Sequence, residues 1–251
     1  MSRYRAVLFD LFDTVALLDR TVLPPFTFEG RTKRATTAAL QGLYEQHVRD
    51  IPFLRFVAAL REVAREQQAA RAHDLREVPC TTRFERTLLR AGLDHSEATS
   101  QLAARLAGLH SSLIGGAATV PPGHARFLQR LSAVCPIALV SNFDDAGVAR
   151  QVLERGGVRA AFRHVTISVD HGWRKPDPRI FLDTLRSLGV EPGEALFVGD
   201  SPDDDVQGAK LVGMEVAWVN ASGAPFPAHL SAPDHMVTDV PSLASLLDVK
   251  A

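Results

Sequence analysis

Short runs of consecutive apolar residues recur along this chain. The clearest are Ala6–Phe9, Ile137–Val140 and Ala195–Val198, with two further runs at Val165–Val169 and Val216–Val219. Runs of four or five apolar residues without polar alternation are typical of strands that are covered on both faces of a parallel sheet. The runs therefore predict five strands of a buried parallel sheet.

Segments with helical spacing follow or separate these runs. They are Asp144–Glu154, Arg179–Leu188 and Val206–Val212, and a glycine follows each of them. The alternation of strands and helices predicts an α/β fold with a doubly wound, Rossmann-like parallel sheet. Ligands of such sheets bind beyond the carboxyl ends of the strands, and polar clusters follow three of the apolar runs.

Between residues 32 and 112 the pattern changes. Apolar positions have helical spacing there, Arg and Glu occupy the polar faces, and nothing indicates a buried strand. The predicted helices are Arg34–Val48, Phe53–Ala70, Arg83–Ala91 and Glu97–Leu109. Pro24-Pro25 and Pro121-Pro122 mark the two crossings, because proline cannot continue a helix. We therefore predict a helical insertion between the first strand and the rest of the sheet.

Composition narrows the class of protein. The 251 residues are 46% hydrophobic and 23% charged, with a net charge of −1, which is typical of a soluble globular protein. The charge does not indicate a nucleic-acid-binding groove. No apolar segment approaches the ~20 residues of a membrane-spanning helix, so we expect a cytoplasmic protein without a membrane partner. Cys80 and Cys135 fit neither a four-thiolate metal site nor a disulfide framework, and we expect two buried, reduced thiols.

The first polar cluster begins at Asp10, directly after the first apolar run. A carboxylate at a strand end can act as a nucleophile, as a metal ligand or as both. A turn aspartate that caps the next segment is the alternative. Asp13 is out of phase with Asp10, and we interpret it as a turn former.

The third cluster, Val198–Asp205, places four carboxylates within six residues. Their mutual repulsion is costly unless a cation shares the charge, and Mg²⁺ takes one or two protein carboxylates together with phosphate and water. The alternative is an acidic helix N-terminus, which the helix dipole stabilises through Asp203 to Asp205. Asp200, at the strand end, is the better candidate for a metal ligand.

Two further sets of candidate site residues are weak indications when each is taken alone. Only four of the 28 basic residues are lysines, and one of them, Lys175, lies in a proline-rich loop, where its ammonium group could bridge a carboxylate and a phosphoryl group. An exposed loop charge is the alternative. Ser141 and Asn142, after the second run, offer a hydroxyl, an amide and backbone N–H groups to an oxyanion or phosphate.

The order of these motifs resembles that of the haloacid dehalogenase-like hydrolase superfamily. The motifs are Phe9-Asp10-Leu11-Phe12-Asp13-Thr14, Val140-Ser141-Asn142, Lys175-Pro176-Asp177-Pro178-Arg179-Ile180-Phe181 and Gly199-Asp200-Ser201-Pro202. The resemblance covers nearly the whole chain. It implies a core of residues 1–20 and 121–251, with residues 21–120 in the place of the family's helical cap domain.

The resemblance also implies roles for individual residues. Asp10 would attack phosphorus and form an aspartyl-phosphate, Ser141 would hold the phosphoryl group, and Lys175 would neutralise charge between Asp10 and the substrate. Thr14 and Asn142 would contribute to phosphate binding.

The cofactor that the resemblance implies is Mg²⁺. Its ligands would be Asp10, the backbone carbonyl of Phe12, Asp200 and a later acidic residue. Asp205 matches that position best, and Asp204 is the close rival.

Phe12 departs from the common phosphatase pattern, in which an aspartate at this position protonates the leaving group and later activates water. General acid–base help is worth roughly 10²–10⁴-fold, so a slow phosphatase, or one that acts on good leaving groups, is one interpretation. An aromatic residue there also resembles the metal-free dehalogenases of the superfamily, although those have no use for Asp200. A third alternative is a binding or regulatory protein that lost efficient turnover.

From these observations we expect a Mg²⁺-dependent hydrolase that removes phosphate from a small phosphorylated metabolite. The inserted helices should choose the substrate, and neither the substrate nor the oligomeric state can be deduced from the sequence.

Overall fold

The computed structural model describes residues 3–249, which form two compact units. The α/β unit comprises the chain up to Leu17 and from Thr119 onward, and the helical unit comprises Leu18–Ala118. These bounds lie close to residues 21 and 120, where the sequence places the ends of the insertion.

The elements alternate as the apolar pattern indicates. In chain order, the strands within residues 3–249 are β1 (Ala6–Phe9), β2 (Leu17–Leu18), β3 (Pro25–Phe28), β4 (Arg31–Arg34), β5 (Ala118–Thr119), β6 (Ile137–Ser141), β7 (Phe162–Ile167), β8 (Ala195–Gly199), β9 (Glu215–Val219) and β10 (His235–Val237). The helices are α1 (Thr37–His47), α2 (Phe53–Ala70), α3 (Cys80–Ala91), α4 (Glu97–Ala117), α5 (Pro122–Ser132), α6 (Ala146–Arg155), α7 (Ser168–His171), α8 (Pro178–Leu188) and α9 (Gln207–Leu211). Short 3₁₀ helices cover Arg20–Val22, Arg159–Ala161, Pro192–Glu194 and Pro241–Ala244, and a π-helical turn covers Pro202–Val206.

Six strands form the central sheet of the α/β unit, in the order β10-β9-β8-β1-β6-β7. The pairings between neighbours are parallel, which confirms the predicted fold class. Strand β1 lies where the order reverses, with β6 on one side and β8 on the other. Phe9 pairs with both Leu139 and Val198, so the three strands end at nearly the same level. This edge is the usual ligand site of an open α/β sheet.

Apolar packing fixes this sheet between its helices. Every residue of β1, β6 and β8 is buried. Helix α8 turns Ile180, Phe181 and Leu185 toward the sheet, where the Phe181 ring meets that of Phe197 at a centroid distance of 5.1 Å. The continuous apolar runs therefore correspond to strands that are covered on both faces.

The helical unit has an aromatic core of its own. The ring of Phe56 lies 5.0 Å from that of Tyr44 and 6.3 Å from that of Phe84. Helices α1 to α4 supply these side chains, together with buried leucines and alanines. Aromatic side chains bury large apolar areas, so this cluster accounts for much of the cohesion of the unit.

Helix α5 and strands β2, β5 and β10 were not predicted, and three further differences concern regions that the sequence analysis described. Strands β3 and β4 form an antiparallel hairpin that the apolar pattern did not predict, and Arg34 belongs to β4 instead of to the first helix. Every residue of β4 is exposed, so the hairpin has no buried run to reveal it. Its turn residues Glu29 and Gly30 both have positive φ, the conformation of a tight hairpin turn.

The two other differences concern element ends. Strand β7 ends at Ile167, and the residues that follow form α7, which Gly172 closes in a left-handed conformation. The predicted strand through Val169 is therefore too long. Helix α4 continues to Ala117, well past the predicted end at Leu109, because its small residues still have helical spacing.

Two expectations from composition can be compared with the described residues. None of their helices has the length and apolarity needed to cross a membrane. Cys80 and Cys135 are both buried and form no disulfide within residues 3–249.

Candidate active site

Asp10 lies directly after β1, at the edge where the strand order reverses. Its backbone N–H donates to the carbonyl of Val198 at 2.9 Å, which continues the pairing with β8. Its side chain is buried, and the carboxylate Oδ1 accepts a hydrogen bond from Lys175 Nζ at 2.5 Å. The predicted nucleophile is therefore a buried carboxylate that is fixed by its strand and paired with a cation.

Lys175 is a buried ammonium group between two carboxylates. Its side chain is 1% exposed, and Nζ lies 2.5 Å from Asp10 Oδ1 and 2.7 Å from Asp205 Oδ1. Burial opposes the charge, but the two carboxylates together hold the pKa of Lys175 above its ordinary value. The alternative of an exposed loop charge is wrong, because the loop directs this lysine inward.

The loop that carries Lys175 is held at both ends. Asn142 accepts from the backbone N–H of Lys175 at 2.7 Å and donates to its carbonyl at 3.0 Å. Two residues later, Asp177 caps α8 by accepting from the Arg179 N–H. The backbone around Lys175 is thus fixed to β6 on one side and to α8 on the other.

Asp205 lies in the π-helical turn after β8 and folds back over the strand end. Its Oδ2 accepts from the backbone N–H of Ser201 at 2.9 Å. A β-carbon at Gly199 would lie 2.3 Å from Asp205 Oδ2, so the motif needs glycine at the end of this strand. This close approach brings Asp205 to Lys175.

Asp200 is the other carboxylate after β8. Its carbonyl accepts from Trp218 Nε1 at 2.7 Å, and its Oδ1 accepts from the Thr14 hydroxyl at 3.4 Å. Trp218 belongs to β9 and Thr14 to the turn after Asp10. Asp200 is therefore positioned by the two elements on either side of it.

Three carboxylates converge at this edge of the sheet. One oxygen each of Asp10, Asp200 and Asp205 lies within 4.8 Å of the others. Burial raises the pKa of Asp10 to about 8, with the charges of Asp205 and Asp200 adding to the rise and Lys175 opposing it. Burial and the Asp205 charge likewise raise the pKa of Asp200 to about 7.

These shifts show that Lys175 alone does not balance the negative charge of the cluster. A hard divalent cation such as Mg²⁺ prefers carboxylate oxygens and would relieve the repulsion, so the donor set fits the implied cofactor. Asp205 is part of this cluster. The side chain of Asp204 instead accepts from Asn142 Nδ2 at 3.1 Å and lies 3.7 Å from Arg174. The geometry thus favours Asp205 over Asp204 as the later acidic residue.

Ser141, the last residue of β6, has a buried hydroxyl oxygen without a hydrogen-bond partner among the described residues. Buried polar atoms in proteins nearly always have a partner, so an orphaned hydroxyl at a ligand-binding edge indicates that a ligand supplies one. The predicted phosphoryl contact of Ser141 fits this observation.

Asn142 and Thr14 have protein partners at the site. The Asn142 amide is engaged with Lys175 and Asp204, and the Thr14 hydroxyl with Asp200. Both residues lie beside the carboxylate cluster and brace it. Their contact with a phosphate, and metal ligation by the carbonyl of Phe12, stay predictions.

Comparison with known proteins places this geometry in a family. A family model for haloacid dehalogenase-like hydrolases matches residues 4–213. The chain belongs to this family. The resemblance that four ordered motifs indicate is thereby confirmed, and the protein is a hydrolase of the haloacid dehalogenase-like type.

Individual relatives match parts of this hydrolase. Haloacid dehalogenase-like hydrolase domain-containing protein 3 of Bos taurus is 34% identical over 171 residues, 65% of this chain and 63% of that protein. Phosphoserine phosphatase of Thermus thermophilus is 42% identical over 91 residues, 36% of each chain. The chain thus matches less than two thirds of the length of either relative. The structure of 2-haloacid dehalogenase from Pseudomonas syringae superposes with a TM-score of 0.74 over 98% of both chains at 23% identity, a likeness of fold alone.

Phe12 occupies the position at which the resemblance leads one to expect a proton-transferring aspartate. Its half-buried ring packs against that of Phe143, with centroids 4.8 Å apart. Asp13, the next residue, has a φ of 57° and donates its N–H to Ala16 in a tight turn, which agrees with the interpretation of Asp13 as a turn former.

Several residues of this haloacid dehalogenase-like hydrolase support the site without being predicted from sequence. Trp218 contacts Asp200, and Arg174 contacts Asp204. Ser168 binds the backbone of Phe143. Trp218 lies at the end of an apolar run, which could have singled it out. Arg174 directly precedes Lys175, but an arginine in an Arg-rich chain carries little signal.

The arrangement can perform nucleophilic displacement on a small anion. A carboxylate oxygen of Asp10 can act as a nucleophile, Lys175 and the Ser141 hydroxyl can stabilise negative charge, and the remaining carboxylates can hold a divalent cation.

Proposed function

We propose that this protein is a Mg²⁺-dependent phosphohydrolase that acts on a small phosphorylated molecule through an aspartyl-phosphate on Asp10. The observation that carries the proposal is the convergence of the Asp10, Asp200 and Asp205 carboxylates beside Lys175 and the Ser141 hydroxyl, which has no hydrogen-bond partner within residues 3–249. A carboxylate cluster suits a divalent cation, and a serine hydroxyl with an ammonium group suits a phosphate. The phosphoserine phosphatase among the relatives supports the same class of substrate.

In this proposal each residue has one task. Asp10, Asp200, Asp205 and the carbonyl of Phe12 would hold Mg²⁺, which supplies charge neutralisation between the nucleophile and the phosphate when bound. Lys175 opposes the rise in the pKa of Asp10 and so favours its ionised form, and it stabilises negative charge on the phosphoryl group. Ser141 donates a hydrogen bond to a phosphoryl oxygen. Asn142 fixes the backbone of Lys175, and Thr14 and Trp218 fix Asp200.

The reaction proceeds in two displacements. An Asp10 oxygen forms a bond to phosphorus while the bond from phosphorus to the leaving oxygen breaks, and the electron pair leaves with that oxygen. Water then attacks the phosphorus of the aspartyl-phosphate, which regenerates the Asp10 carboxylate and releases inorganic phosphate. The proton of the attacking water goes to solvent or to phosphate.

The direct test is phosphate release from p-nitrophenyl phosphate, with Mg²⁺ and with a chelator. We expect activity that depends on Mg²⁺ and is lost in Asp10→Asn. Asp170→Asn, which alters an exposed carboxylate paired with Arg150, is the matched control and should keep its activity. Activity that is indifferent both to Mg²⁺ and to Asp10→Asn contradicts the proposal.

Metal binding has a separate readout in thermal unfolding. Mg²⁺ binds the folded protein only, so it should raise the melting temperature in a concentration-dependent manner. Asp200→Asn should remove this rise while leaving the chain folded. An equal rise in the wild type and in Asp200→Asn would contradict the assignment of Asp200 as a metal ligand.

Phe12 favours a second candidate function, carbon–halogen hydrolysis by Asp10 without metal. A halide leaves without a proton, so the absence of a general acid at this position would not slow the displacement. Halide release from a panel of 2-haloacids in chelator would support this function, and no release over the panel would discard it.

A binding or regulatory protein would instead bind phosphate esters saturably without modification of Asp10.

A further inference from the structure

Two phenylalanines lie at equivalent places in the site. Phe12 comes two residues after the nucleophile Asp10, and Phe143 comes two residues after Ser141. Their strands, β1 and β6, are neighbours in the sheet, and the two rings pack with centroids 4.8 Å apart at an interplanar angle of 58°. We call this pair the Phe12–Phe143 wall.

The wall stands on a fixed backbone. The buried Ser168 hydroxyl accepts from the N–H of Phe143 at 2.9 Å and donates to its carbonyl at 3.2 Å. Phe12 forms a bridge with Ala16, and the adjacent Asp13 N–H donates to the Ala16 carbonyl at 2.7 Å. Both residues are half-buried, so part of the surface of each is accessible. Aromatic surfaces held in this way stack well on planar groups.

Phe12, one of the two residues of the wall, occupies the position at which the resemblance leads one to expect a proton donor. A phenyl ring can neither protonate a leaving oxygen nor activate water. Lys175 is committed to Asp10 and Asp205, at 2.5 and 2.7 Å. Asp13 is held in its turn, and its charge acts on Asp200. An alcohol leaving group needs a proton as it departs, and these residues do not supply one.

We propose, on the basis of the proposed phosphohydrolase function, that the substrate is a phosphate ester of a planar, acidic hydroxyl group, a phenol or an enol, whose ring or double bond stacks on the Phe12–Phe143 wall. An acidic hydroxyl departs as an anion, so the phosphorus–oxygen bond breaks with its electron pair on the leaving oxygen and no proton is needed in that step. The aryloxide or enolate takes its proton from water afterwards.

Three phosphate esters and one acyl phosphate separate the two parts of the proposal. p-Nitrophenyl phosphate has a ring and an acidic leaving group, benzyl phosphate a ring and an alcohol leaving group, acetyl phosphate an acidic leaving group without a ring, and ethyl phosphate neither. We expect kcat to be at least about 10²-fold higher for the two acidic leaving groups, the scale of missing acid catalysis. We expect KM to be about two- to tenfold lower for a ring ester than for its partner without a ring, the scale of one aromatic contact.

The wall is tested by Phe143→Leu, which keeps an apolar side chain and removes the ring. KM should rise for p-nitrophenyl and benzyl phosphate relative to acetyl and ethyl phosphate, with thermal unfolding as the check on folding. Phe226→Leu is the matched control, because it removes a half-buried ring that packs on Trp218 instead. It should leave the ratio of KM values unchanged.

The outcomes distinguish this inference from the proposed function. If benzyl and ethyl phosphate are turned over as fast as p-nitrophenyl and acetyl phosphate, the inference is overturned, while the phosphohydrolase function stands. The same holds if KM is indifferent to the ring, or if Asp13→Asn alone abolishes turnover of the alcohol esters, since Asp13 would then be the acid. No turnover of any of the four compounds, with no modification of Asp10, would overturn the proposed function itself.

Discussion

The two units of this hydrolase bury polar side chains in different ways. Among the described residues, the buried charged side chains all belong to the α/β unit: Asp10, Lys175, Asp177 and Asp205. The helical unit instead buries aromatic rings and neutral polar groups, such as the Thr36 hydroxyl, which lies 2.7 Å from His110 Nδ1. One unit concentrates charge at a strand edge, and the other is built on apolar packing.

The cost of burying charge falls on the α/β unit. Burying charged groups costs free energy unless they are paired, and a cluster with three carboxylates and one lysine is only partly paired. The raised pKa values of Asp10 and Asp200 record this cost. The candidate site therefore costs the α/β unit stability, whereas apolar packing of the aromatic core stabilises the helical unit.

The largest effect should follow from Lys175→Met, which leaves Asp10 and Asp205 without their cation. We expect phosphatase activity to fall by orders of magnitude. The free energy of unfolding should drop by about 3–5 kcal/mol, as when one partner of a buried pair is removed. Urea unfolding and phosphate release measure the two effects.

Lys210→Met is the matched control for that change. Lys210 pairs with Asp234 at 2.5 Å, but both side chains are more than a quarter exposed. Such pairs contribute about 0–1 kcal/mol. Equal losses in the two variants would contradict the distinction between the active edge and the surface.

Phe56→Ala should destabilise the helical unit by about 3–5 kcal/mol, because it opens a cavity at the centre of the aromatic core. Leu54→Ala, two residues earlier on α2, removes an exposed side chain and should stay within about 0.5 kcal/mol. Chemical denaturation of both variants checks this. A small effect at Phe56 would show that apolar packing is not what holds the unit together.

A smaller effect is expected for Asn142→Ala, which frees the backbone of Lys175. Asn220 makes a similar pair of bonds at the end of β9, donating to the carbonyl of Ala224 at 2.9 Å and accepting from its N–H at 3.1 Å. Asn142→Ala should lower stability by about 1–3 kcal/mol, since the buried backbone of Lys175 loses its partner, whereas Asn220→Ala should cost less, since Ala224 is exposed. Only Asn142→Ala should also lower kcat in the phosphatase assay. A similar kcat for both variants would contradict the positioning role of Asn142.

A pH-dependent effect is expected for His110 in the helical unit. Burial, together with the charge of Arg83, lowers its pKa to about 4 from an ordinary value near 6.5. Between these values the unfolded chain binds a proton that the folded protein does not. Stability therefore falls as the pH decreases through this window, by at most about 1.4 kcal/mol per pH unit. His110→Phe should remove this part of the pH dependence, measured as the difference in unfolding free energy between pH 7 and pH 4.5. An unchanged difference would contradict it.

Much of the fold follows from local patterns. Strands β1, β6 and β8 are continuous apolar runs, and helices α2 and α8 have regular apolar spacing, so both were predictable within a few residues. The exposed hairpin of β3 and β4 has neither signal. The first residue of the short helix after β7, Ser168, bonds to Phe143, which is distant in sequence, and no local pattern encodes this contact.

The site was predictable as a set of residues but not as a set of contacts. Strand ends and the ordered motifs indicate Asp10, Ser141, Lys175 and Asp200. The engagement of Asn142 with Lys175, and the choice of Asp205 over Asp204, depend on how a loop and a π-helical turn fold back. Such details arise from tertiary packing, which spacing along the chain does not specify.

The most direct test of the account is to identify the phosphorylated residue during turnover. The wild-type protein is mixed with Mg²⁺ and p-nitrophenyl phosphate, quenched with acid within the first turnover, digested and examined by mass spectrometry. The account predicts one phosphate on the peptide that contains Asp10 and none in Asp10→Asn. Turnover with phosphate on another residue, or with no phosphorylated peptide at all, would contradict the assignment of Asp10 as the nucleophile.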